Sequence, residues 1–294
     1  MTERARSSAD AAAGRARPPF DAPAESASPP AIVRLIPAGS YAGRSHALLI
    51  RSVTASRRAW LAFVSGFFEP VFYLIALGQG LGSLVSSLPG PDGSPISYTA
   101  FIAPGLLAAS AMNGAVFDST YNVFFKLKYK RLYDAMLATP LGPVDIALGE
   151  IGWALIRGGL YALGFLSVMA GFGLLTSPWA LLVLPAALVV AFAFAAVGMA
   201  ATSYMRSWQD FDLITLVVLP MFLFATTFYP LSVYPRWLQL LVECLPLFHA
   251  VELMRGLTTG AVHLGMFGHL SYFLMMITVG VVVAARRLDV LLLK

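Results

Sequence analysis

A single cysteine, Cys244, stands among 294 residues, which excludes an intrachain disulfide, a CxxC redox pair and any Cys/His zinc spacing. Charge is scarce as well. Asp, Glu, Lys and Arg make up 12% of the chain against 58% hydrophobic residues, where soluble domains average about 25% charged. A water-soluble fold with that balance has too little polar surface to cover itself, and a mean hydropathy of +0.75 points to one membrane domain. Chemistry-bearing motifs are missing too. There is no GxxxxGK phosphate loop, so ATP is not bound and hydrolysed in that way on this chain. HExxH, GxSxG, an EF-hand loop and the paired acidic clusters of metal-dependent transferases are also absent. These gaps argue against an enzyme and against a resident metal or cofactor.

What is present is a series of long apolar runs. A net charge of +5 raises the question of nucleic acid, but the basic residues gather at the ends of the runs instead of forming a patch. Membrane orientation accounts for them, and no nucleic-acid partner is expected. Residues 1–40 are rich in Ala, Arg, Ser and Pro, with Pro18, Pro19, Pro23, Pro29 and Pro30 interrupting any regular element, and read as a disordered cytoplasmic tail. They lack the continuous h-region of a signal peptide. Residues 41–58 turn amphipathic, with Arg44, Arg51 and Arg58 on one stripe and Leu49, Ile50 and Val53 on another. This is either a helix lying in the membrane surface or a polar lead-in to the first span.

Six runs of roughly the 20 residues needed per crossing follow: Trp60 to Leu84, Tyr98 to Phe125, Ile146 to Leu174, Pro178 to Tyr204, Phe211 to Phe228 and Leu264 to Ala285. Between the last two, Val233 to Met254 holds apolar stretches too short to cross, and a helical hairpin dipping into the outer leaflet is expected there. The predicted fold is therefore an all-α polytopic membrane protein, with a six-span domain over 59–287 and a short cytoplasmic C-terminal tail over 288–294. Lys126, Lys128, Lys130 and Arg131, then Arg206, Arg286, Arg287 and Lys294, fall on one side with the basic residues of the N-terminal stretch. Both termini are thus expected in the cytoplasm.

The segment Lys126 to Pro140 places Tyr129, Leu132, Tyr133, Met136 and Leu137 at i, i+3, i+4, i+7 and i+8, the pattern of a short amphipathic helix. It reads equally as a helical extension resting on lipid headgroups and as a helix that docks into a groove on a soluble partner. The run that overlaps its end, MLATPLGPVDIALGE from Met136 to Glu150, resembles the segment after the coupling helix in ABC-2-type export permeases. The stretch Phe228 to Gly260 is similar to that family's re-entrant segment before the last span. The resemblance runs from about Tyr41 to Arg287 and is nearest to the NodJ-like lipooligosaccharide and drug-resistance branches. It implies a multi-pass permease of the bacterial cytoplasmic membrane, paired with a second copy or a relative. It also implies two separate ATPase subunits that carry the ATP and Mg. Residues 41–58 would then be the connecting helix and Lys126 to Leu137 the coupling helix, with Tyr129, Arg131, Leu132, Asp134 and Met136 touching the ATPase.

Charges inside spans are costly and mark pairing or function. Glu69, Asp118, Glu150 and Arg157 are of this kind. Glu150 and Arg157 are too far apart along one helix to meet, so Arg157 is expected to pair with Asp118 or Glu69, either as a structural ion pair or as part of a transport path. By the resemblance, the second and fifth spans of two subunits face each other, which makes Asn113, Phe117, Tyr121, Met221, Phe224 and Thr227 candidate cavity-lining residues. An apolar, aromatic cleft of this sort suits a lipid-linked or amphiphilic cargo. His249 and Glu252 lack a nearby third ligand and read as packing residues. Two other readings compete with an export permease: a secondary transporter or channel using Glu69, Asp118 and Arg157 as a relay, and a membrane enzyme of lipid metabolism.

Overall fold

The computed structural model describes residues 43–56, 60–85, 87–91 and 93–292, the side chains of 60–67 excepted. The tail expected over 1–40, and also Tyr41, Arg57, Arg58 and Lys294, lie outside the described residues. Among the described residues, ten α-helices and one small hairpin follow in order: α1 (Ser45–Ser56), α2 (Trp60–Gly80), β1 (Leu88–Pro89), β2 (Pro95–Ile96), α3 (Tyr98–Phe117), α4 (Leu132–Leu137), α5 (Pro143–Gly171), α6 (Val183–Tyr204), α7 (Phe211–Phe224), α8 (Arg236–Glu243), α9 (Pro246–Thr259) and α10 (Met266–Leu292). The two strands pair antiparallel, Leu88 opposite Ile96 and Pro89 opposite Pro95.

Four of the described helical stretches are long and apolar enough to cross a membrane: Tyr98–Tyr129, Pro143–Gly171, Pro178–Tyr204 and Met266–Leu292. The pair α8–α9, bent by 84° at Cys244 and Leu245, passes the same test only when taken together. This bent pair occupies the stretch where a hairpin is expected. The fifth expected span is shorter than its apolar run. α7 has 14 residues, about 21 Å at 1.5 Å per residue, against roughly 30 Å of hydrocarbon. It stops because Thr226, two residues past its end, takes the left-handed conformation, with φ of 59°. The last helix is longer than expected and runs through Arg286 and Arg287 to Leu292, taking in most of the stretch set apart as a tail.

The bundle has two chemically distinct ends. At one, Arg44 donates its amide to Asp145 (2.9 Å), Lys126 meets Glu150, and Arg287 lies over the Tyr204 ring at 4.8 Å. Val144 packs on Ala285 beside Arg286. A ring cluster of Tyr121, Phe124, Trp208 and Phe211 ties the α6–α7 turn to the same end. The basic residues therefore collect on one side, as their positions predict. At the opposite end Thr99 bonds the Gly78 carbonyl and Thr176 bonds that of Thr258.

α3 is the central helix, buried without interruption from Phe101 to Met112, and it packs on α2, α5, α6 and α9. Small residues allow this. A Cβ at Gly158 would lie 2.8 Å from the Ala111 oxygen and 2.8 Å from the Ala191 Cβ, and one at Gly114 would lie 3.0 Å from the Gly158 Cα. Without a hydrophobic drive between helices in lipid, such close backbone approach is what holds them. Gly78 permits a close approach at the far end of α2, its Cβ position 3.0 Å from Thr99, whereas Gly80 faces open space.

Candidate functional site

Just past the Gly114–Gly158 crossing, α3 widens into two successive π-helical turns, Asp118–Asn122 and Phe125–Tyr129. Such turns recur at functional positions because they shift side chains off the α-helical register. The first presents Asp118 to Arg157 of α5, with Nη1 to Oδ1 at 3.1 Å. Asn122 also donates to Asp118 Oδ1. Both ion-pair partners are buried, and the guanidinium further donates to the Tyr161 hydroxyl from Nε (3.3 Å) and Nη2 (3.2 Å). It lies 4.9 Å over the Phe117 ring. Asp118 Oδ2 is buried without a hydrogen-bond partner. Arg157 therefore pairs with the first of its two expected partners.

The second π turn carries Lys126 inward to Glu150, Nζ to Oε2 at 2.6 Å. Periodicity missed this pair because Lys126 was counted with the exposed segment beyond the span. Glu69 is exposed on α2, at the rim of a small recess with Asn113, Tyr73 and Phe222. Of the four charges, Asp118 and Arg157 thus pair with each other, Glu150 pairs with Lys126, and Glu69 is a surface carboxylate.

The expected docking helix differs from its pattern. Lys126 to Tyr129 belong to the end of α3, Arg131 breaks the chain with φ of 43°, and α4 proper is six residues long. The stripe that periodicity assigns to one helix is therefore split. Tyr129 remains on the surface, stacked on Phe125, while Tyr133 and Met136 turn inward and are buried. Tyr133 sits beside Glu150, and burial together with that carboxylate raises its hydroxyl pKa well above the ordinary value. Of the five candidates for partner contact, Tyr129, Arg131 and Asp134 are exposed, Leu132 is half-buried and Met136 faces the chain's own core. α1 lies alongside, with Leu48 closed over Gly149 and the Arg44 amide on Asp145. The two surface elements of the basic end are therefore anchored on the first turns of one helix, α5.

The six cavity candidates do not line one wall. Phe117 and Tyr121 stack at 5.1 Å, and Tyr121 stacks in turn on Phe211 at 4.1 Å, joining α3 to the start of α7. Phe224 is exposed and tilts against Tyr234. Thr227, by contrast, is fully buried against Gly105, and Met221 is buried towards α6 and α10. A left-handed residue two places after α7 turns the chain inward, which removes Thr227 from the expected face.

At the opposite end lies a polar centre around Arg255 and Glu252. Arg255 of α9 is buried, with Nη1 to Glu252 Oε1 at 2.6 Å, Nη2 to the Thr226 carbonyl at 2.7 Å and its guanidinium 4.1 Å over the Phe101 ring. It fastens α9 to α3 and to the strained turn after α7. The three-residue spacing of Glu252 and Arg255 was the available signal. His249, read as a packing residue, meets His269 of α10 with ring nitrogens 2.7 Å apart.

The family model of the ABC-2 type transporter matches residues 45–259, from the first residue of α1 to the last of α9. Among curated proteins the chain is similar to Nodulation protein J of Rhizobium leguminosarum bv. viciae, 35% identical over 71% of this chain and 80% of that one. Nodulation protein J of Rhizobium meliloti (strain 1021) is 32% identical over 74% and 82%. That of Bradyrhizobium diazoefficiens is 32% identical over 79% and 88%.

Proposed function

The chain belongs to the ABC-2 type transporter family and is a membrane transport subunit of an ABC exporter; from that premise we propose that it forms half of a six-plus-six-span pathway in the bacterial cytoplasmic membrane. In this reading both termini are cytoplasmic. The cargo is amphiphilic or lipid-linked, a glycolipid, lipooligosaccharide or drug, and it moves by alternating access. ATP and Mg are held by two copies of a separate ATPase, and the second permease is another copy or a relative.

The observation that carries the reading is the pairing of α1 and α4 on the first turns of α5 at the basic end, inside a family match that spans both. A push on the exposed Arg131–Asp134 surface reaches α5 directly, and through α5 the Arg157–Asp118 pair that joins it to α3. In that scheme α4 is the coupling helix, α1 the connecting helix and the bent pair α8–α9 the re-entrant hairpin of the outer leaflet. The relay reading has less to support it, because Asp118 and Arg157 close on each other in one pair while the third charge it needs, Glu69, is an exposed carboxylate on α2.

Co-purification tests this. A tagged chain should bring down an ATP-hydrolysing subunit, and replacing Arg131 and Asp134 together by Ala should weaken that association at least tenfold. Transport of a fluorescent amphiphile in proteoliposomes that contain no ATPase would refute the proposal.

A further inference from the structure

A cleft of about 710 Å3 runs beneath α7. Ile214, Val217 and Met221 of α7 form one wall, and Phe194, Ala201 and Met276 form the other. α7 bridges it: Phe211 stacks on Tyr121 at one end, and Met221 is buried in the core towards the other.

Apolar walls give water no partners, so a cleft in lipid is filled by something apolar. A single hydrocarbon chain fits, and the volume lies within the ordinary range of small-ligand sites, about 300–1,000 Å3.

Charge marks one mouth. Besides Thr120, the polar lining residues are Tyr204, Arg206 and Asp210, all at the basic end. The Asp210 carboxylate is taken up by the backbone amides of Arg206 (2.6 Å) and Ser207 (3.1 Å). The Arg206 side chain is exposed and makes no hydrogen bond or salt bridge among the described residues. Arg287 lies 4.8 Å over the Tyr204 ring, and its Nε is buried without a hydrogen-bond partner. Two guanidinium groups therefore accompany Tyr204 where an otherwise apolar cleft opens.

We propose that this cleft is a binding site for one acyl chain of an anionic lipid, with the headgroup phosphate at the Tyr204 mouth beside Arg206 and Arg287. Free phosphate would satisfy the guanidinium groups and leave the cleft unfilled, so retention of the chain is the discriminating property. The site lies between α7 and the facing surfaces of α6 and α10.

Native mass spectrometry of the full chain in detergent, with phosphatidylglycerol, phosphatidylcholine of the same chains and inorganic phosphate as probes, tests it. One phosphatidylglycerol should be retained in preference to phosphatidylcholine, and Arg206→Gln should lower that preference about fivefold. Ala201→Phe and Val217→Phe fill the cleft from opposite walls, and each should abolish retention. Equal retention of the two lipids by the wild type overturns the proposal. So does undiminished phosphatidylglycerol binding in a filled variant whose unfolding midpoint is unchanged, and so does binding of inorganic phosphate alone. Should both filled variants fail to fold, a photoreactive acyl chain on phosphatidylglycerol decides with the wild type: cross-links must map to α6 and α7, and their absence there refutes the site.

Discussion

Arg157 and Asp118 stand where α5 meets the end of α3, and their energetics follow from what surrounds them. Side chains 10% and 1% exposed have given up most of their hydration. Removing one partner of such a pair costs about 3–5 kcal/mol, because the other charge is left buried and alone. Arg157→Leu should therefore lower stability by about that amount in denaturant titrations of the detergent-solubilised protein, while the double change Arg157→Gln with Asp118→Asn should recover much of it. Additive losses in the double variant would show that the two charges do not act as a pair. A second residue-scale expectation concerns the α6–α7 turn. Asp210 accepts from the Arg206 and Ser207 amides, and those bonds hold its carboxyl below the usual carboxylate range. A depressed folded pKa means the cap is fully present above the unfolded value, about 3.9, and is lost as pH falls through the lower folded value. Protection of these two amides from hydrogen exchange should hold from neutral pH down through the ordinary carboxylate value, about 3.9, and collapse only below it, as the carboxyl is protonated at its lowered folded pKa; Asp210→Ala should show the unprotected level throughout.

Elements here are set by where the backbone departs from ideality. The π turns of α3 rotate Lys126 inward to Glu150, and the left-handed Arg131 then cuts the expected amphipathic helix down to Leu132–Leu137. An L-residue in that conformation costs roughly 1–2 kcal/mol, and Gly is free of the cost. Arg131→Gly should therefore keep or slightly raise the unfolding midpoint while removing the guanidinium, and Arg131→Val should lower the midpoint. If the arginine is kept for partner contact, both variants lose the ATPase in pull-downs; if it serves the turn alone, only Arg131→Val does. The pattern of apolar residues predicted long helices well, because burial in lipid follows hydropathy directly. It predicted α4 poorly. Periodicity assumes one unbroken helix, and nothing about an arginine between Lys130 and Leu132 signals positive φ. The same limit explains Thr227, whose apolar neighbours gave no hint that Thr226 would reverse the chain. Arg157–Asp118 was legible because unpaired charges in apolar runs must find one another. Arg255 was not, because it lies where the chain leaves the apolar run and reads as solvent-facing until α9 is seen to turn in.

At the scale of the molecule, the four long apolar helices among the described residues, α3, α5, α6 and α10, run between a basic end and an end with few charges. The basic end gathers Arg44, Lys126, Arg206 and Arg287 through contacts among α1, α5, α6 and α10. The opposite end holds Arg255 buried against Glu252 and shows Arg236 at the start of α8 to solvent. Lys and Arg near span ends set orientation towards the cytoplasm, so the asymmetry of the folded surface is sharper than a count of residues along the chain. The expectation is tested with single cysteines. Cys244 is exposed and must first be replaced, for instance by Ser. In intact cells a membrane-impermeant thiol reagent should then label Ser94→Cys and Leu264→Cys. Lys128→Cys and Arg206→Cys should react only after the membrane is opened. Labelling of Lys128→Cys from outside would invert the molecule and remove the basic end from any cytoplasmic ATPase. Labelling of Lys128→Cys and Arg206→Cys from opposite sides would mean that an odd number of crossings separates the two ends of the α3–α6 segment, which the shared ring cluster of Tyr121, Phe124, Trp208 and Phe211 forbids.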